Sequence, residues 1–94
     1  MIFRKARKSD VPSIVEMLAH DELGKKRENF SDPLPDSYLK AFDKIEKDIN
    51  QELMVVEDHN EIIGTLQLSF IQYLTYQGGF RAQIDAVRIR DDQR

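Results

Sequence analysis

Few side chains in this sequence are typed and spaced for chemistry, and each admits a structural reading as well. No cysteine is present; that removes a thiol nucleophile, a disulfide and a thiolate metal site together. The two histidines, His20 and His59, stand apart. No His, Asp or Glu cluster has metal-ligand spacing, so no metal is expected. Lys25, Lys26 and Arg27 could meet an acidic partner, although a run of basic residues in a polar stretch reads first as a solvated loop. Tyr73 and Tyr76 sit in a loop and are candidates for lining a small acceptor pocket. Tyr38 and Phe42 belong instead to a helix face and are expected in the core. Asp85 lies between Arg81 and Arg88, where a carboxylate could be partly buried and paired with either.

The elements that must hold these groups follow from periodicity. Ile2 to Ala6 reads as a short first strand. Ser9 or Asp10 can cap a helix, and Pro12 is tolerated in its first turn. Val11, Ile14, Val15 and Leu18 then recur at helical spacing, and Gly24 is a stop. Lys25 to Pro35 reads as a loop. Asp36 or Ser37 can cap a second helix, with Tyr38, Phe42, Ile45 and Ile49 on one face. The period then falls to two. Leu53 to Glu57 reads as a strand, and Asp58-His59-Asn60 as a turn. In the next strand Ile62, Leu66, Leu68 and Phe70 point one way and Thr65, Gln67 and Ser69 the other. Gln72 to Gly79 is a loop. Arg81 to Ile89 forms a last strand, with Ala82, Ile84 and Ala86 on one face and Val87 and Ile89 on the other. Apolar residues on both faces imply burial on both sides.

The expected fold class is α+β, ordered β-α-α-β-β-β, with a mainly antiparallel sheet. A length of 94 residues allows one domain with a thin core. Charged residues are 33% and hydrophobic ones 40% of the chain, the balance of a globular protein. No apolar run reaches the ~20 residues of a membrane span, and no signal peptide is visible, so no membrane partner and a cytoplasmic location are expected. The net charge of −3 argues against a nucleic-acid partner.

Two segments carry a family resemblance. Glu61-Ile62-Ile63-Gly64-Thr65-Leu66-Gln67-Leu68 is similar to the long strand that opens with a glycine in the GNAT superfamily of N-acetyltransferases. Ala82 to Arg94 resembles the same superfamily's acidic residue, spaced aliphatics and polar turn, ending on the Arg that opens its Arg/Gln-x-x-Gly-x-Gly/Ala phosphate loop. The resemblance covers nearly the whole chain and implies a GNAT-like fold with acetyl-CoA as co-substrate. It implies that Val87, Arg88 and Ile89 offer a splayed strand edge to the thioester carbonyl and pantetheine amides, because pantetheine resembles an extra peptide strand. Arg94 matches the first phosphate-loop position.

Asp85 falls where many members carry a glutamate general base, which an amine needs if it is to attack a thioester. The implied acceptor is an amine-bearing small molecule or peptide. The sequence departs from the family at Arg94, where it stops before the loop's glycines, the following helix and the C-terminal strands. Residues 1–94 are therefore expected to be a single, incomplete acetyltransferase domain, inactive alone and self-associating. The competing expectation is a non-catalytic α+β module that dimerises through its exposed sheet edge.

Overall fold

The structure, a computed structural model, describes residues 1–21, 23–90 and 92. Arg94 therefore lies outside the described residues. The elements run β1 (Ile2–Lys5), a 3₁₀ turn (Lys8–Asp10), α1 (Val11–Ala19), α2 (Gly24–Arg27), α3 (Asp36–Lys47), β2 (Gln51–Asp58), β3 (Glu61–Gln72), a helical turn (Thr75–Gly78) and β4 (Phe80–Ile89). The four strands form one sheet in chain order, every pair antiparallel. This is the expected α+β architecture, with β4 at the edge. No helix of the described residues is long and apolar enough to cross a membrane.

Strand register decides which side chains face the helices. Val55 is fully buried and lies opposite Arg4 on one side and Thr65 on the other. Leu53, two residues earlier and on the same face, packs against Val11, Val15 and Phe42. The two longer helices therefore share this face. The other face carries the pairs Phe3–Val56, Met54–Leu66 and Leu68–Ile84, and Phe70 stacks on Phe80 with ring centroids 5.9 Å apart. Phe3, Phe80 and Ile84 are more than half exposed there.

Several local readings change. Gly24 does not stop α1, which ends at Ala19; it opens α2, whose Lys25, Lys26 and Arg27 fall in the segment read as a loop. Glycine is required because a Cβ at this position would sit 1.7 Å from the Leu18 carbonyl oxygen. Asp10 stands at the α1 N-cap position, yet its side chain does not bond α1's N–H groups; Arg4 and the Arg7 N–H take it. The cap of α3 is Pro35, and no side chain bonds the helix there. Ile49 leaves the expected stripe because α3 ends at Lys47, and it is 92% exposed.

Ile62 leaves the Leu66 face, since a register shift between Val56 and Glu57 sets it opposite Glu57. His59 and Asn60, both at positive φ, form the two-residue turn between β2 and β3; such turns match the strand twist. β4 is exposed along almost its whole length rather than buried on both faces, because it has a neighbour on one side only and no described layer covers it.

The short core makes a discriminating test. Phe42 (4% exposed) and Ile49 shared one predicted face, but only Phe42 is buried. Phe42→Ala is expected to lower stability by about 3–5 kcal/mol, and Ile49→Ala by no more than ~0.5 kcal/mol. Urea denaturation of both variants measures this; similar losses would show that α3 continues to Ile49.

Candidate functional site: the bulged edge of β4

The site is built by the way β4 pairs with β3. The Arg90 N–H donates to the Ile63 carbonyl at 2.8 Å, and the same register sets Arg88 opposite Thr65 and Ile89 opposite Gly64. Antiparallel residues alternate between bonded and non-bonded pairs. The backbone groups of Arg88 therefore belong to the ladder, whereas the Val87 carbonyl and both backbone groups of Ile89 point to the free edge. One residue further the register shifts, because Gln67 faces Asp85. Ala86 and Val87 together thus oppose Leu66. Ala86 takes φ +53°, a left-handed conformation that a non-glycine residue adopts only where its surroundings impose it. The result is a β-bulge that re-aims the strand, with Val87 and Ile89 each about half exposed.

The other expected residues are distributed around this edge. Asp85 is exposed, and its Oδ2 accepts a bond from Gln83 Nε2 at 2.9 Å. It pairs with neither arginine: Arg81 lies over the Tyr73 ring, 5.5 Å from its centroid, and Arg88 reaches Asp21 at 3.0 Å. Opposite Asp85, Gln67 donates to Gln51 at 2.7 Å, and Gln51 donates to Asp48 at 2.9 Å. Tyr73, just past the end of β3, lies six positions beyond Gln67, roughly 20 Å along the strand direction. Tyr76 is 92% exposed at the loop tip, where it, Gln77 and Gly78 make a left-handed turn. The two tyrosines are therefore remote from Val87, Arg88 and Ile89.

A groove of about 460 Å³ adjoins the inner end of β4. Ser9 from the 3₁₀ turn, Ser13 and Glu16 from α1 and His20 just past its end line one wall, and Glu61 and Arg90 close the far side. Sequence reasoning missed it by following only the apolar stripe of α1. The polar stripe, at spacings of four, three and four, is the signal that would have found it. Beneath the groove, Arg4 donates to both oxygens of Asp10 (2.8 and 3.2 Å) and to Glu57 at 2.8 Å. The Arg4 bond holds the Asp10 carboxyl below the usual range despite its burial, and Asp10 and then Glu57 raise the guanidinium in return. Glu28 is held down by the Tyr38 hydroxyl, and Asp48 by the Asn50 N–H. Among the described residues no cluster of His, Asp or Glu is arranged to hold a metal.

Comparison with solved structures places this geometry. A transcriptional regulator from Bacillus halodurans superimposes with a TM-score of 0.95 at 48% identity. Glucosamine-6-phosphate N-acetyltransferase from Arabidopsis thaliana gives 0.77 at 19%, and a predicted acetyltransferase from Clostridium acetobutylicum with acetyl-CoA gives 0.68 at 21%. Each match covers 99% of this chain. The chain has the GNAT acetyltransferase fold. It spans 62% of the length of each of these three structures. No protein-family model and no curated protein matches the sequence. In GNAT terms the described elements form the N-terminal helices and antiparallel strands, and the bulged strand is the one that the resemblance assigned to the cofactor.

Asp10, Glu28 and Asp48 all have depressed carboxyl pKa values. Each contributes stability that is fully present above the ordinary carboxylate pKa of about 4 and is lost as pH falls through the folded value. The urea midpoint is therefore expected to be level between about pH 7 and 5 and to drop below about pH 4. Asp10→Asn should lower the neutral-pH plateau and flatten the drop. An unchanged acid limb in that variant would show that Asp10 is not linked to folding.

Proposed function

We propose that this chain is the N-terminal part of an N-acetyltransferase that moves acetyl from acetyl-CoA to a primary amine of a small molecule or peptide. The observation that carries the reading is the free, bulged edge of β4 within a GNAT fold. The Val87 C=O and the Ile89 N–H and C=O are aimed where the amides of a pantetheine arm can bond as an added strand. Asp85, exposed and unpaired with arginine, is suited to take a proton from the ammonium form of the acceptor, through water because its side chain is short. The neutral nitrogen then attacks the thioester carbonyl carbon. The tetrahedral intermediate loses a proton from its nitrogen and collapses to the amide as the C–S bond breaks, and the departing thiolate of CoA takes up that proton.

In this reading Arg94 contributes to the phosphate side. Residues beyond the chain supply the phosphate loop and cover the apolar sheet face, and the protein works in the cytoplasm. The acidic balance of the chain does not favour contacts to nucleic-acid phosphates, although one similar structure is named a transcriptional regulator.

Phosphate-loop amides make charge-assisted bonds worth roughly 1.5–3 kcal/mol each, and losing three weakens binding more than about a thousandfold. Calorimetry is expected to show acetyl-CoA binding this chain weakly or not at all, and binding well to a protein that continues through the phosphate loop. Failure of the longer protein to bind would count against the function itself. Micromolar binding by the chain alone would show that other residues hold the pyrophosphate.

A second reading, association without catalysis, draws on Phe3, Phe80 and Ile84, which are 59%, 64% and 60% exposed on one sheet face. Burying each such side chain is worth about 1.5–3 kcal/mol. In light scattering the isolated chain is expected to be a dimer or larger; a monodisperse monomer at high concentration would contradict this.

A further inference from the structure

The contacts of Arg88 extend the cofactor reading, on which this inference rests, to a residue distant in sequence. Ladder bonds hold β4 at Arg88 and Arg90, while the bulge interrupts the regular register at Ala86 and Val87. The outward carbonyl of Val87 is instead met by a side chain: Arg88 Nη1 donates to it at 2.8 Å. The Nη2 of the same guanidinium donates to Asp21 Oδ2 at 3.0 Å, across 67 positions of sequence. Asp21 lies just beyond α1, and its side chain is 34% exposed against 24% for Arg88. A guanidinium is a rigid planar fork, so fixing one arm on Asp21 fixes the direction of the other.

We propose that Asp21 is a positioning residue for the acyl donor: through Arg88 it sets the Val87 carbonyl as the acceptor for an amide N–H of the pantetheine arm. The carbonyl has two lone pairs. One takes the guanidinium, and the second remains for the ligand. The same peptide unit carries the Arg88 N–H into the sheet, so its plane is held from both sides of the edge. Without Asp21 the guanidinium is free to leave, and the carbonyl is held from the ladder side alone, through the Arg88 N–H of the same peptide.

The test uses the 94-residue chain, isotope-labelled, with acetyl-pantetheine as the probe because it lacks the phosphates that the chain is not expected to hold. Backbone amide shifts of Val87 and Ile89 should saturate at millimolar probe. Asp21→Asn is expected to weaken binding about fivefold or more, and Asp21→Glu to keep most of it. Arg88→Lys preserves the charge and a partner for Asp21 but cannot span both groups, so it should weaken binding as Asp21→Asn does while remaining folded in parallel urea titrations. Equal affinity in Asp21→Asn, or full binding by Arg88→Lys, overturns the proposal and leaves the edge reading intact. Absence of any saturable shift at Val87 and Ile89 in the unaltered chain overturns both.

Discussion

Arg4 is the group on which the arrangement depends. A guanidinium placed between strand and helix must be matched by anions, since an uncompensated charge there is strongly unfavourable. Asp10 and Glu57 match it, one from the start of α1 and one from β2. This bond set fixes where α1 begins over the sheet. Val11 and Val15 then reach Phe42, and the far end of the helix brings Asp21 to Arg88. A line of contacts thus runs from the first strand to the outward carbonyl of the last. Arg88 is where the packed half of the molecule touches the half that is open.

That asymmetry is the second physical theme. One sheet face is closed by α1 and α3 around Val55 and Leu53. The other is apolar yet largely open, with Phe3, Phe80 and Ile84 exposed. Strand alternation alone would make such a face a second core, because residues two apart share a side. What it lacks among the described residues is a covering layer. The edge of β4 is open too, but it is not a flat template for pairing. Its bulge and the charges of Arg81, Asp85, Arg88 and Arg90 are devices that discourage indiscriminate strand addition. An edge of this kind suits a narrow amide-bearing ligand better than another β-sheet.

The candidate site was legible in part. Val87 and Ile89 were named from a resemblance; in the ladder the Val87 carbonyl and both backbone groups of Ile89 face outward. Arg88 was named with them, but its backbone lies in the ladder and its side chain carries the interest. Asp85 could have paired with a flanking arginine and does not: Arg81 lies over Tyr73 and Arg88 reaches Asp21. Tyr73 and Tyr76 were grouped with the site by residue type, and strand length separates them from it. The groove under α1 escaped notice because polar residues at helical spacing look like a solvated face until a sheet stands opposite them.

The elements, their antiparallel order and the turn at His59 and Asn60 follow from the sequence because periodicity and turn chemistry act over a few neighbouring residues. The ends of α1 and α3 were less secure. Gly24 is needed where a Cβ would meet the Leu18 carbonyl, and Ile49 lies outside α3, which ends at Lys47. The register shift at Ala86, the turning of Val87 outward and the pairing of Asp21 with Arg88 are set by contacts between residues far apart in the chain. No local pattern encodes them, since each depends on how β3 meets β4 and on where α1 comes to rest. Those long-range contacts turn an ordinary edge strand into a candidate binding edge.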